Sequence, residues 1–352
     1  MQRAVLKEIK TLVFEEVPVP ACPPDGLLLN VKACGVCATD VKIYNYGHHK
    51  IRLPRVLGHE LAGVIEEVGP AADGGFEPGQ RVAVCAVINC GVCEYCLRGL
   101  PSMCESLEAF GYHFDGGYQE YMAVPSKSIL CGGVQVLPET VSFEEAAVAE
   151  LLACSINGQR LSDFRFGESV LIIGAGPVGL MQSRLAKARG CGPIYMADVL
   201  PEKLELSMEL CRGELAGTLN SRDRDGFVQA AMEATNGRGF DQIMICCGAA
   251  PAQQVSLNLV AKCGCINFFG GLPKGKSDVT LDTNQIHYKQ CRVVGTHGSS
   301  ALDNREAVQL VARGEVVIRD LITSRIGLSD VESALQLNQP DPKHLKGVVV
   351  YS

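Results

Sequence analysis

The pattern of apolar and polar positions changes character near residue 155. Before it, short apolar runs such as Gly26-Leu-Leu-Leu-Asn-Val-Lys-Ala33 and Gly63-Val-Ile-Glu-Glu-Val-Gly69 are broken by Gly, Pro and Asp. Phe76-Glu-Pro-Gly-Gln-Arg-Val-Ala-Val84 and Gly116-Gly-Tyr-Gln-Glu-Tyr-Met-Ala-Val124 each read as a turn followed by a strand. Short strands punctuated in this way predict a β-rich, antiparallel domain, closed as a barrel. After it, strands alternate with helices. Glu168-Ser-Val-Leu-Ile-Ile173 is nearly continuous in apolar residues, as expected of a parallel strand buried on both faces. Phe240–Cys247, Gly264–Phe269 and Arg292–Thr296 repeat the pattern, each ending in small or polar residues. The tail predicts a helix over 305–313, a strand near Ile322, a helix from Ser329 and a last strand from Gly347. The final strands are expected to rejoin the first domain. The fold class is therefore α/β: a β-rich domain of residues 1–154 and 291–352 around a doubly wound parallel-sheet domain of residues 155–290.

Composition narrows the function. The chain has 352 residues, enough for two cores, with a formal net charge of −7. A surface tracking nucleic-acid phosphates needs an excess of Lys and Arg, so no nucleic-acid partner is expected. No basic run or long apolar stretch points to a membrane. The first ten residues carry no apolar signal core, and 17 cysteines suit a reducing compartment, so a cytoplasmic location is expected.

The strand ending at Ile173 runs into Gly174-Ala-Gly176-Pro177-Val178-Gly179 and then a helical stretch. The first Gly allows the tight turn, the second lets a pyrophosphate approach the backbone, and the third lets helix and strand pack closely. Unpaired N–H groups at the helix start favour the phosphates. The next strand ends in Asp198, twenty-four residues after Gly174, near the separation of a carboxylate that accepts ribose hydroxyls. A 2′-phosphate would meet like charge there, which favours NAD over NADP. Lys203 is close in sequence, and Asp198 is also a candidate N-cap for a helix opening at Pro201. Cys246, Gly248, Gly270, Gly271, Thr296 and His297 stand at the ends of the later strands, where an open α/β sheet binds its ligand.

Two groups of residues suit metal. Cys90, Cys93 and Cys96 are spaced by two residues, and Cys104 follows after seven more. Four thiolates so spaced fit a structural Zn²⁺. Cys37 precedes Ala38-Thr39-Asp40, and His59 lies between Gly58 and Glu60. A thiol, an imidazole and a carboxylate form the mixed donor set of a catalytic zinc, which keeps one position open.

These residues carry a resemblance. Cys37-Ala-Thr39-Asp40, Gly58-His59-Glu60-Leu-Ala-Gly63, the four-cysteine lobe, Gly117 to Pro125, Glu150, Gly174 to Leu180 and Ile286-His-Tyr-Lys289 resemble the zinc-dependent medium-chain alcohol and polyol dehydrogenases, sorbitol/threonine branch, along nearly the whole chain. The resemblance implies a GroES-like catalytic domain, an inserted Rossmann domain, and two zinc ions per chain. It implies that Cys37, His59 and a carboxylate hold the catalytic zinc, with Glu60 and Glu150 exchanging beside it, and that Thr39 starts a proton relay. His48 or His49 could receive that proton or be plain solvent-exposed loop residues, and neither is counted among the catalytic residues. The resemblance also implies a homo-oligomer, dimer or tetramer, paired through the surface near residues 266–281. Two departures stand out. Leu151 follows Glu150 where the family commonly has Pro, and Val87 occupies the position of a functional His in threonine dehydrogenases. A polyol, sugar alcohol or cyclitol is therefore the expected substrate, with Tyr44, Phe110, His113 and His297 as pocket residues. Two other readings stay open: an epimerase or lyase that oxidises transiently with tightly held NAD, and a non-catalytic zinc and nucleotide-binding redox sensor.

Overall fold

The computed structural model describes residues 1–273, 275–336 and 341–352. The chain forms two compact units, Met1–Cys154 with Ser299–Ser352, and Ser155–Gly298. The second division falls at 298 rather than 290. The strand Arg292–Gly295 pairs in parallel with Val260–Phe268, and these ladder bonds keep it in the second unit.

The first unit is built on a seven-stranded sheet. Its path runs Val134–Val136, Arg81–Val84, Glu60–Val68, Leu27–Val36, Lys346–Val350, Ile322–Ile326, with Tyr121–Val124 also on Leu27–Val36. Among the described residues this path is open rather than a closed ring. It is also not wholly antiparallel, because Ile322–Ile326 and Lys346–Val350 run parallel. Leu27–Val36 is the central strand, and most of its residues are buried whichever way they point. That is why its sequence lacks clean alternation. Leu27, Leu29, Val31, Ile65, Val82 and Met122 form part of the core beneath it. The last strand lies antiparallel to the centre, with Gly347 opposite Val36.

The second unit is a six-stranded, all-parallel sheet. Its order is Gly217–Asn220, Ile194–Asp198, Val170–Ile173, Phe240–Ile245, Val260–Phe268, Arg292–Gly295. Val170 to Ile173 are at most 3% exposed, as a strand covered on both faces requires. The order reverses direction at Val170–Ile173, the switch point where such sheets bind ligands.

Candidate functional site

The first group of candidate residues forms at the end of the central strand. Cys37 follows Leu27–Val36 and caps the helix Ala38–Tyr46. Its Sγ accepts from the Thr39 N–H at 3.4 Å, and the Asp40 carboxylate accepts from the Cys37 N–H at 3.2 Å. This is a capping box with cysteine in the cap position. Thr39 thus stands in a first helical turn rather than in a loop. Asp40, 1% exposed, also accepts from the Tyr118 hydroxyl at 3.0 Å and lies 3.3 Å from His59 Nδ1. A carboxylate on one ring nitrogen orients an imidazole so that the other is free to ligate. Burial opposes charge on His59, but Asp40 and Cys37 beside it lift its pKa well above the usual range. The same anionic surroundings suit a divalent cation.

Glu60 completes the group. The candidate ligand atoms of Cys37, His59 and Glu60 all lie within 4.8 Å of one another. Glu60 is fully buried and faces Gly35 across the ladder. A Cβ at Gly35 would stand 1.9 Å from Glu60 Oε2, so only glycine leaves room for the carboxylate. Lys346, 4% exposed, donates to Glu60 Oε1 at 2.5 Å and to the Val36 carbonyl at 3.1 Å. Oε2 has no hydrogen-bond partner among the described residues. One carboxylate oxygen is tied and the other is free beside a thiol and an imidazole. That donor set fits zinc.

Glu150 stands next to this group but is not in it. It lies on the helix Phe143–Ser162, 7% exposed, and accepts from Cys154 Sγ at 3.4 Å. Burial raises its pKa; Glu60 adds to this, while His59 and Lys346 oppose it.

Cys90, Cys93, Cys96 and Cys104 also bring their sulfurs within 4.8 Å of one another. Cys93 and Cys96 are 3.5 Å apart, and Cys104 Sγ accepts from the Cys90 N–H at 3.2 Å. N–H groups at Cys96 and Glu105 draw the Cys93 thiol down to about 6. Pre-aimed backbone donors of this kind favour the thiolate form that a metal needs.

In the second unit the glycine turn has the geometry its sequence requires. Gly174 has φ +113°, outside the range of ordinary side chains. A Cβ at Gly179 would lie 1.9 Å from the Gly174 carbonyl, so the helix Pro177–Ala188 can sit this close only with glycine there. Gly176 is its N-cap and Pro177 and Val178 its first residues. Asp198 ends the neighbouring strand and braces the turn: its carboxylate accepts from Ala175 N–H at 2.8 Å and Leu200 N–H at 3.0 Å. It is not the N-cap of the following helix, a position held by Leu200. A carboxylate has lone pairs beyond these two bonds, so ribose hydroxyls can still be accepted. Lys203 sits in that helix's first turn. Cys246 and Gly248 follow Phe240–Ile245, Gly270 and Gly271 follow Val260–Phe268, and Thr296 and His297 follow Arg292–Gly295. All are therefore at the carboxyl edge of the sheet.

The expected pocket residues are corrected. Tyr44 and Phe110 belong to the core, 2% and 0% exposed, and Tyr44 is committed to the Lys10 carbonyl and Glu332. Their apolar rings fill the space between elements that no ligand enters. His113 is exposed and lines a cavity of about 550 Å³ beside Cys90, Glu105 and Glu108. The aromatic residue that faces the metal-suited trio is Tyr112, whose ring is 6.3 Å from that of His59. Burial, with Asp40, Cys37 and Glu150, pushes its phenol up to about 12 against the pull of His59. Asp40, Lys346 and Tyr112 were not singled out from the sequence. Only Asp40 had a local signal, three residues after Cys37 as in a capping box.

Comparison with known proteins matches residues 23–132 to the family described as "Alcohol dehydrogenase GroES-like domain" and residues 177–313 to "Zinc-binding dehydrogenase". The chain is 30% identical to an L-threonine 3-dehydrogenase of Mesorhizobium japonicum, over 91% of this chain and 90% of that protein. It is 30% identical to a probable D-xylulose reductase A of Aspergillus clavatus, over 94% and 92%. Among solved structures, a putative zinc-binding dehydrogenase of Sinorhizobium meliloti bound to NADP superposes with a TM-score of 0.90 at 30% identity, covering 99% of both chains.

Proposed function

The chain belongs to the zinc-dependent medium-chain alcohol and polyol dehydrogenase family, and from that premise we propose that it transfers a hydride between NAD and a secondary alcohol, a polyol, sugar alcohol or cyclitol. The observation that carries this reading is the trio of half-buried Cys37 with buried His59 and Glu60, one carboxylate oxygen of Glu60 being unpartnered among the described residues. A retired site has no physical need for a three-residue metal set that leaves a position open, which counts against a non-catalytic sensor. Zinc bound there supplies a Lewis acid that makes an alcohol hydroxyl far more acidic, and the nicotinamide supplies the hydride acceptor.

The chain's own residues do the rest. Cys37 and His59 would hold the metal, Asp40 beside His59 Nδ1 orients that imidazole, and Lys346 ties Glu60 Oε1 so that Oε2 is left free. Glu150, which feels the charges of His59 and Glu60, is the second carboxylate that would be available to the metal. The Thr39 hydroxyl, in the helical turn that Cys37 caps, takes the alcohol proton outward. Gly174, Gly176 and the start of the following helix receive the pyrophosphate, and Asp198 accepts the ribose hydroxyls, which favours NAD. NADP remains the second reading, because the Sinorhizobium relative is bound to it. Threonine is disfavoured despite the relatives' names, since Val87 cannot replace an imidazole.

The test is a panel of polyols, cyclitols, secondary alcohols and threonine with NAD⁺ and NADP⁺, read by absorbance of the reduced cofactor. Cofactor that stays bound and never appears as free NADH would point to transient oxidation instead. No turnover by zinc-loaded protein would reject the reading. The four-cysteine lobe gives a separate expectation. Cys93→Ser should lower zinc from two to one per chain and depress the melting temperature, because structural zinc binding is coupled to folding. Metal analysis with calorimetry checks it. The enzyme is proposed to be cytoplasmic, and a dimer or tetramer joined near residues 266–281, of which Lys274 lies outside the described residues; light scattering measures its mass.

A further inference from the structure

Asn267 is the polar exception in its strand. Val260–Phe268 lies in the parallel sheet of the second unit, between Phe240–Ile245 and Arg292–Gly295, and Cys265 and Ile266 just before Asn267 are 1% and 0% exposed. Asn267 itself is 0% exposed. A buried amide costs free energy unless it is bonded, and an aliphatic side chain would make no such demand. Asn267 Nδ2 donates to the Gly158 carbonyl at 3.1 Å and to the Ser162 hydroxyl at 2.8 Å, both on the helix Phe143–Ser162. A Cβ at Gly158 would stand 2.9 Å from the Phe269 ring, so glycine lets the helix come this near to the strand end. The Thr296 hydroxyl donates to Asn267 Oδ1 at 3.2 Å and stands 2.8 Å from Nδ2.

A second amide holds the same loop. Asn157, 6% exposed and one residue before Gly158, donates from Nδ2 to the Gly298 carbonyl at 2.9 Å and reaches the His297 carbonyl at 3.5 Å. Residues 296–298 follow the last strand of the sheet without regular structure, and Gly298 has φ +62°. A segment that begins after Gly295 and ends in Gly298 has little stiffness of its own. Two asparagines, one from a strand and one from a helix, therefore fix all three of its residues. Joining the helix to the strand needs only the bonds to Gly158 and Ser162, yet both amides reach on to the loop.

The loop lies toward the far end of a dinucleotide laid across this sheet. The glycine turn at Gly174 follows Val170–Ile173, and Asp198 ends the strand on one side of it. A nucleotide with its pyrophosphate on that turn and its adenosine ribose at Asp198 extends the opposite way, across the ends of Phe240–Ile245, Val260–Phe268 and Arg292–Gly295. We propose that Asn267 and Asn157 are positioning residues for the nicotinamide half of the cofactor: they hold the 296–298 loop in place as its seat, while the adenosine half does not depend on them. A loop ordered beforehand spares the complex the entropy of ordering it on binding. This rests on the dehydrogenase reading above only in taking a nicotinamide dinucleotide as the ligand.

The test compares NADH with ADP-ribose, which lacks the nicotinamide, on the full-length protein. In Asn267→Ala and in Asn157→Ala, NADH should bind about five- to ten-fold more weakly, as expected when a hydrogen bond that orders a binding loop is lost, while ADP-ribose changes by less than about two-fold. Thr296→Val should reproduce the pattern, and Thr296→Ser, which keeps the hydroxyl, should bind both ligands as the wild type does. Calorimetric titration measures both ligands, and NADH fluorescence repeats the first. Equal weakening of NADH and ADP-ribose, or weakening of neither, overturns the positioning role while leaving the dehydrogenase standing. If Asn267→Ala fails to fold, Asn157→Ala and the Thr296 pair decide. The split between the two ligands in a protein that oxidises no alcohol overturns the dehydrogenase reading and supports the seat; wild-type protein that binds neither ligand overturns both.

Discussion

Lys346→Met should destabilise the first unit by about 3–5 kcal/mol and strip its metal site of order. The pair it breaks is buried on both sides, Lys346 being 4% and Glu60 0% exposed. Removing one partner of such a pair leaves an uncompensated charge in a low-dielectric interior, which is where the large penalty arises. The expected fall in melting temperature is roughly 6–20 °C, from the entropy of unfolding a body of this size. Lys346 also donates to the Val36 carbonyl, one residue before Cys37, so its loss reaches two candidate ligands at once. Zinc affinity, measured by chelator competition on the metal-free protein, should fall about 10–100-fold, as it does when a partner that orients a ligand is removed. Lys346→Arg should keep most of both properties. Adding Glu60→Gln to Lys346→Met removes the stranded charge and should recover stability without recovering zinc. Urea denaturation and metal titration separate the two effects. Full zinc affinity in Lys346→Met would show that Glu60 needs no tether.

Cys37→Ser and His59→Ala should lower turnover by about 10³-fold or more, since groups that act as one unit in catalysis lose nearly everything when any is removed. The fold should survive the first change. Cys37 is a helix N-cap whose sulfur accepts from the Thr39 N–H, and serine is a better cap than cysteine. The loss would then be chemical rather than structural. Reduced cofactor should still bind with near-normal affinity, measured by fluorescence, because the glycine turn and Asp198 belong to the other unit. A variant at either position that retains near-normal rates would remove the trio from the mechanism.

Short-range features were legible in the sequence. The spacing of Cys90, Cys93 and Cys96 already places three sulfurs within one small loop, and the glycines of residues 174–179 state a backbone geometry that other residues cannot adopt. The pocket was not legible. Phe110, Tyr112 and His113 are near neighbours in one turn, and which of them faces the site depends on how Gly111 and Asp115 fix that turn to the strand Arg55–Val56.

By itself the sequence determined the two domain types, the thiolate lobe, the phosphate-binding turn and the list of groups able to hold a catalytic metal, because each is written in residues close along the chain or in a residue type without substitute. Tertiary structure alone decided which carboxylate joins Cys37 and His59, and what holds it. Glu60 meets Lys346 only because Gly347 pairs with Val36 in a ladder between strands some three hundred residues apart. Such a register is set by packing over the whole sheet and leaves no mark in the residues flanking either partner.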